Sequence, residues 1–155
     1  MRFLYYLKVA LVSIEALIIT VMLLLFFFFI VEVNALAKSL SFNEELIKFL
    51  MLLPVGVVVW VFNQSRELVF SDAQQAKVIV NWPDYWQLKV HINISIIYAI
   101  IFCVFAILPW ISKLGLSTGT GLILFTGSLF GTLVVAASIY FAKISINELF
   151  LFENS

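Results

Sequence analysis

Long apolar runs separated by short polar segments dominate the chain. Four of these runs approach or exceed the roughly 20 residues that a helix needs to cross hydrocarbon. They cover residues 9–31, 46–62, 92–111 and 121–142. None alternates apolar and polar residues with the period of two that is typical of membrane β-strands. The pattern predicts an all-α fold, a polytopic four-transmembrane-helix bundle that forms one membrane domain over residues 1–155, with a loop at 63–90.

Composition supports a membrane protein and excludes two other classes. Hydrophobic residues make up 64% of the chain and charged residues 12%, whereas soluble domains contain about half and about a quarter. A disordered chain needs the opposite balance. Nine basic residues cancel nine acidic ones, so no basic field favours nucleic acid. We therefore expect membrane lipid around the chain and no direct nucleic acid binding.

The distribution of Lys and Arg predicts the orientation of the bundle. Cytoplasmic segments carry an excess of these residues. One side of the predicted bundle has Arg2, Lys8, Arg66, Lys77, Lys89 and Lys143, and the other has Lys38, Lys48 and Lys113. This excess predicts a multi-pass protein of the cell inner membrane, with both termini and the loop at 63–90 in the cytoplasm.

Glu15 is the sharpest candidate for chemistry. It lies six residues inside the first apolar run, about 9 Å along a helix, and an ionisable group at such a place is a functional hypothesis by default. Lys8 is on the same helix face, and Lys143 and His91 belong to the same side of the membrane. Two interpretations remain: a structural ion pair or hydrogen-bond node, or a role in handling protons or ions. The position resembles that of the essential Glu in the first span of small multidrug-resistance transporters, although the later spans do not match.

The fourth run carries a packing pattern of small residues. Gly127 and Gly131 form a GxxxG pair, and Ser128, Thr132 and Ser138 extend the same sector of the helix. Small residues let helix backbones approach closely in lipid. The sector is predicted to contact another span of the same chain, to contact a second copy, or to line a narrow pore.

The loop at 63–90 is the largest segment predicted outside the membrane. It is predicted to form either a marginal hairpin, with a strand at 68–70, or a helical extension of the second span followed by an ordered loop. Residues 81–86 are typical of an interfacial anchor. We expect Lys77, Trp82, Asp84, Tyr85 and Trp86 at a docking surface for a soluble partner.

Several catalytic signatures are missing from the sequence. It has no Gly-rich phosphate loop, and Cys103 and His91 are the only Cys and His residues, too few for a zinc site. We therefore expect no enzyme activity, no cofactor and no metal. Two classes of function remain. One is a non-enzymatic membrane subunit that oligomerises and senses or scaffolds with a soluble cytoplasmic partner. The other is a small proton-coupled transporter or ion channel that uses Glu15.

The layout resembles that of small tetraspan membrane proteins of bacterial anti-phage systems, in particular the membrane subunit of Kiwa systems. The likeness covers the number of spans, the internal termini and the long second loop. It implies a homo-oligomer, specifically a tetramer, a cytosolic DNA-binding protein partner, and a role in anti-phage defence at the envelope. No motif matches residue by residue, so the resemblance assigns no functional residues.

Overall fold

The computed structural model describes residues 2–40, 44–69, 85–112 and 115–153. The regular secondary structure in these ranges consists of α-helices alone, so the all-α prediction is confirmed for them. The helices are α1 (Arg2–Leu11), α2 (Ile14–Phe28), α3 (Ile30–Ser39), α4 (Glu44–Val69), α5 (Tyr85–Ile111) and α6 (Gly119–Glu153).

Two of these helices are long and apolar enough to cross a membrane. They are α5 and the Gly119–Ile146 part of α6, and a third span results if the bent pair Leu4–Leu11 and Ile14–Phe28 counts as one. The structure thus supports a membrane protein with two or three spans. The run at 46–62 lies inside α4, and its role as a fourth span stays a prediction.

The first predicted span is divided rather than continuous. Residues 9–31 fall in α1, α2 and α3, and the axes of α1 and α2 differ by 52°. The break has a local cause, because Ser13 adopts an extended backbone (φ −87°, ψ 158°) and its side chain caps α2. Serine at this position satisfies a backbone N–H that the first helical turn leaves without a partner. Ser13 and Glu15 therefore lie at the start of α2 and not in the middle of one continuous helix.

The predicted loop at 63–90 is shorter in the structure. Helix α4 continues to Val69 and α5 begins at Tyr85, which leaves residues 70–84, outside the described part of the chain. The helical extension of the second span is therefore confirmed as far as Val69, and the alternative strand at 68–70 is wrong for Leu68 and Val69. The extension is fastened to α6, because Lys143 contacts both Gln64 and Glu67.

Helix α6 is central to the bundle, since it packs against α2, α3, α4 and α5. The main core lies along α6 and includes Phe102, Val135 and Ile139, each at most 2% exposed. Large apolar side chains also cover much of the outer surface, as at Phe27 and Phe28. An all-round apolar surface of this kind suits helices surrounded by lipid.

The small residues of α6 contact other helices of the same chain. A Cβ built at Gly127 would lie 2.5 Å from the Cγ of Met22 on α2, and one built at Gly131 would lie 2.5 Å from the Cζ of Phe102 on α5. Ser128 and Thr132 are completely buried. The intrachain alternative is thus the one that the structure shows, and assembly into a homo-oligomer stays a prediction.

Candidate functional site

Four of the predicted site residues line one cavity. They are Lys8, Glu15, His91 and Ser138, which come from α1, α2, α5 and α6. The cavity volume is about 590 Å³, within the roughly 300–1,000 Å³ that is typical of small-molecule sites. The sequence predicted Lys8, Glu15 and His91 at one side of the membrane and Ser138 in the small-residue sector of the fourth run, and the fold brings all four to one cavity.

Glu15 is the buried acidic group of this cavity. Its side chain is 5% exposed and stands in the first turn of α2, two residues after the capping Ser13. The N-terminal turn of a helix carries a partial positive charge, which favours a carboxylate there. Among the described residues, no ion pair or hydrogen bond involves the Glu15 side chain. Its carboxylate is therefore available to a proton, a cation or a ligand.

Hydrogen bonds fix the break that positions Glu15. The Ser13 hydroxyl accepts from the Ala16 N–H at 3.1 Å and donates to the Ala10 carbonyl at 3.2 Å. The Tyr98 hydroxyl of α5 donates to the same Ala10 carbonyl at 2.7 Å. The capping Ser13 and Tyr98 of α5 thus both bind the Ala10 carbonyl at the end of α1, directly before α2 begins.

The beginning of α1 is attached to the beginning of α5 through Tyr5, a residue that sequence reasoning did not single out. The Tyr5 hydroxyl lies 3.2 Å from the Oε1 of Gln87, to which it donates, and 3.4 Å from the Nε2 of His91. The ring centroids of Tyr5 and Trp86 are 4.8 Å apart. Tyr5 also lines the cavity, so this contact forms part of its wall.

The rim of the cavity contains both apolar residues and basic residues. Val12 and Ile14 line it and are 78% and 64% exposed, which gives an apolar rim. Lys8 and His91 line it as well and are exposed, which gives a polar and basic rim. The buried carboxylate of Glu15 therefore has access both to an apolar surface and to basic groups.

Lys143 does not belong to this cavity. Its Nζ lies 2.7 Å from the Oε2 of Glu67 and donates to the Oε1 of Gln64 at 2.6 Å. Glu67 is 58% exposed at its side chain and Lys143 33%. Lys143, one of several candidate partners of Glu15, thus binds a different carboxylate, on the extension of α4 that was predicted as part of a loop.

The predicted docking residues are placed only in part. Lys77, Trp82 and Asp84 lie outside the described residues. Tyr85 packs against the main core, and the ring of Trp86 contacts that of Tyr5 at a tilt of 58° while Trp86 remains 38% exposed. Both described residues thus have a role inside the chain, and their part in partner docking stays a prediction.

Within the described ranges, no group of three or more His, Cys, Asp and Glu side chains is arranged to hold a metal ion. The chemistry that the cavity offers is that of one carboxylate, one ammonium group, one imidazole and several hydroxyl groups. Such groups bind charged ligands and exchange protons.

No protein family, no curated protein and no solved structure matches this chain. The resemblances to Kiwa membrane subunits and to small multidrug-resistance transporters therefore stay predictions from layout and position. The conclusions about function rest on the cavity itself.

Proposed function

We propose that this membrane protein moves protons, alone or coupled to a second solute, through the cavity around Glu15. The observation that carries this proposal is a carboxylate that is 5% exposed and lines a cavity of about 590 Å³ together with Lys8 and His91. Ionisable groups inside a membrane bundle that face a cavity are characteristic of proton relays and substrate pathways.

The alternative structural role of Glu15 receives no support from an ion pair among the described residues. A structural ion pair requires a cation close to the carboxylate, and Lys143 is bound to Glu67 instead. Lys8 lines the same cavity as Glu15, but no ion pair joins the two among the described residues. A buried carboxylate without such compensation destabilises the folded protein, so its presence is more easily explained by a task than by stability.

The break in the first predicted span adds independent support. Transporters often build their binding sites from discontinuous membrane helices, whose half-helix ends face the bound ion or substrate. Here α1 and α2 meet at 52°, and Glu15 stands in the first turn of the second half. The start of the second half-helix and the buried carboxylate therefore coincide at the cavity.

Proton flux into liposomes tests the proposal. We expect Glu15→Gln, which keeps the shape but cannot ionise, to lower the flux at least about tenfold, since each 1.4 kcal/mol lost at the relevant step is a factor of ten. Its free energy of unfolding should stay level or rise, because no charged partner is left behind. Glu67→Gln is the matched control, as it removes an exposed carboxylate outside the cavity, and its flux should equal that of the wild type.

Two results would overturn the proposal. One is a wild-type flux no greater than that of empty liposomes at any imposed pH gradient. The other is a full flux in Glu15→Gln, since a proton pathway that survives the loss of its only buried carboxylate among the described residues does not use it.

A second candidate is the non-enzymatic subunit that senses or scaffolds with a soluble partner. The observation that favours it is the contact of Lys143 on α6 with Gln64 and Glu67 on α4, which positions the end of α4 directly before the segment 70–84 in the sequence. Its homo-oligomer, its DNA-binding partner and its place in anti-phage defence follow from the Kiwa resemblance alone. It predicts a stoichiometric soluble partner in mild detergent and no effect of Glu15→Gln on any flux.

A further inference from the structure

We infer that the solute of this cavity is an amino-phospholipid, held with its ammonium group against Glu15 and its phosphate beside Lys8 and His91. The chemical class is a zwitterionic amphiphile with a primary ammonium, as in ethanolamine phospholipids. The inference rests on the proposed function, because it names the solute whose ammonium group competes with a proton for Glu15.

The charges of the cavity match a zwitterion better than an ion of one sign. A simple cation that approached Glu15 would pass Lys8, and a simple anion that bound Lys8 would face Glu15. A molecule with a positive inner group and a negative outer group satisfies both, since Glu15 is buried whereas Lys8 and His91 are exposed. A phosphate and a primary ammonium also form the charge-assisted hydrogen bonds that are the strongest available to such side chains.

The apolar rim favours a lipid over a water-soluble zwitterion. Val12 and Ile14 both line the cavity and are mostly exposed, and the neighbouring Leu11 and Leu17 are 68% and 62% exposed. In a membrane this surface is covered by acyl chains. A lipid whose headgroup occupies the cavity can leave through this rim without bringing its chains into contact with water.

The remaining polar lining suits a phosphate ester. Ser95 and Ser138 line the cavity from α5 and α6, and serine hydroxyl groups donate to phosphate oxygens. The volume of about 590 Å³ accommodates a headgroup and leaves the acyl chains outside. Binding is then selective for the headgroup and tolerant of chain length.

A titration of the full-length, delipidated protein with three lipids of identical acyl chains tests the inference, with bound lipid measured by native mass spectrometry. The lipids carry ethanolamine, choline and glycerol headgroups. We expect ethanolamine to bind about tenfold more tightly than the other two, because only its headgroup combines a positive charge with N–H donors: choline has no donor, and glycerol has no charge on its hydroxyl groups. A tenfold ratio is the effect of one such charge-assisted bond. Glu15→Gln should abolish this preference, and Glu67→Gln should retain it.

A second variant tests the opposite end of the headgroup. Lys8→Gln should weaken all three lipids by a similar factor, since all three carry the phosphate. Loss of the ethanolamine preference in Lys8→Gln, with affinity for the other lipids unchanged, would place the ammonium at the rim and contradict the assigned orientation.

The outcomes separate this inference from the proposed function. Equal affinity for the three headgroups, tightest binding of the glycerol lipid, or a preference that survives in Glu15→Gln overturns the inference. If Glu15→Gln abolishes proton flux under any of these results, the proposed function stands without it. If Glu15→Gln abolishes the ethanolamine preference while the wild type shows no flux, the binding site stands and the proposed function fails.

Discussion

The bundle contains two apolar regions that differ in how closely they are packed. Where α6 crosses α2 and α5, a Cβ at Gly127 or Gly131 would lie 2.5 Å from a neighbouring side chain, so side chains of α2 and α5 fill the space above these two glycines. At the break between α1 and α2, the same bundle has an open cavity of about 590 Å³ that is lined by the buried Glu15. The close contact holds the helices together, and the open region leaves room for a ligand.

The difference follows from the forces that act inside lipid. Helices there associate through van der Waals packing and hydrogen bonds, because lipid chains are as apolar as the side chains. Atoms that line a cavity lose part of that packing. The open region is therefore held by Ser13, Tyr98 and Tyr5 through hydrogen bonds, whereas the closed region is held by shape.

The largest expected effect comes from filling the closed region. Gly131→Leu should lower the free energy of unfolding by about 3 kcal/mol, the upper range for overpacked cores. The cause is Phe102, which is fully buried and whose ring already occupies the position that a side chain at residue 131 would need. Unfolding in a denaturing detergent series measures the change, with Leu133→Ala as control at a position that is 47% exposed.

The size of the particle in mild detergent completes this test. Reduced stability with an unchanged size would assign the small sector of α6 to contacts within one chain. Normal stability with a smaller particle would instead show that the sector joins two copies. The close packing of α6 within one chain, on which the comparison of the two regions depends, would then be contradicted.

The sequence predicted the closed region better than the open one. The spacing of Gly127, Gly131, Ser128 and Thr132 was sufficient to mark one face of α6, because helical periodicity depends only on local geometry. Which residue would meet Gly131 was not predictable, since the approach of Phe102 depends on the path of the whole chain. The choice between an intrachain and an interchain contact stayed open for the same reason.

The helix break that forms the open region was not predicted, because the residues that cause it lie inside a long apolar run. Ser13 and Glu15 are spaced as a capping residue and an acidic residue in the first turn of a new helix. Within an apolar run they look like tolerated interruptions, so residues 9–31 were predicted as one span. Burial of Glu15 was predicted from its depth in the apolar run alone. The ion pair of Lys143 with Glu67 was not predictable, because it depends on the continuation of α4 to Val69.

A smaller effect is expected from loosening the break. Ser13→Ala removes the side-chain cap of α2 and should lower the free energy of unfolding by about 1 kcal/mol, the usual cost of losing such a cap. Ser13→Thr should restore most of it, because its hydroxyl can accept the same N–H. Ser39→Ala is the control, since that hydroxyl only donates to a carbonyl of its own helix. An unchanged unfolding free energy in Ser13→Ala would show that Tyr98 alone maintains the break.

The smallest expected effect concerns the second carboxylate, and it sharpens the contrast with Glu15. Glu67→Gln should change the free energy of unfolding by about 0.5 kcal/mol or less, because exposed ion pairs contribute little and Gln can still accept a hydrogen bond from Lys143. Raising the salt concentration should remove even this difference by screening the wild-type pair. A double-mutant cycle with Lys143→Gln measures the coupling between the two residues. A coupling well above about 1 kcal/mol is larger than exposed pairs supply and would make this ion pair important for stability. Only the flux measurements would then distinguish the role of Glu15 from that of Glu67.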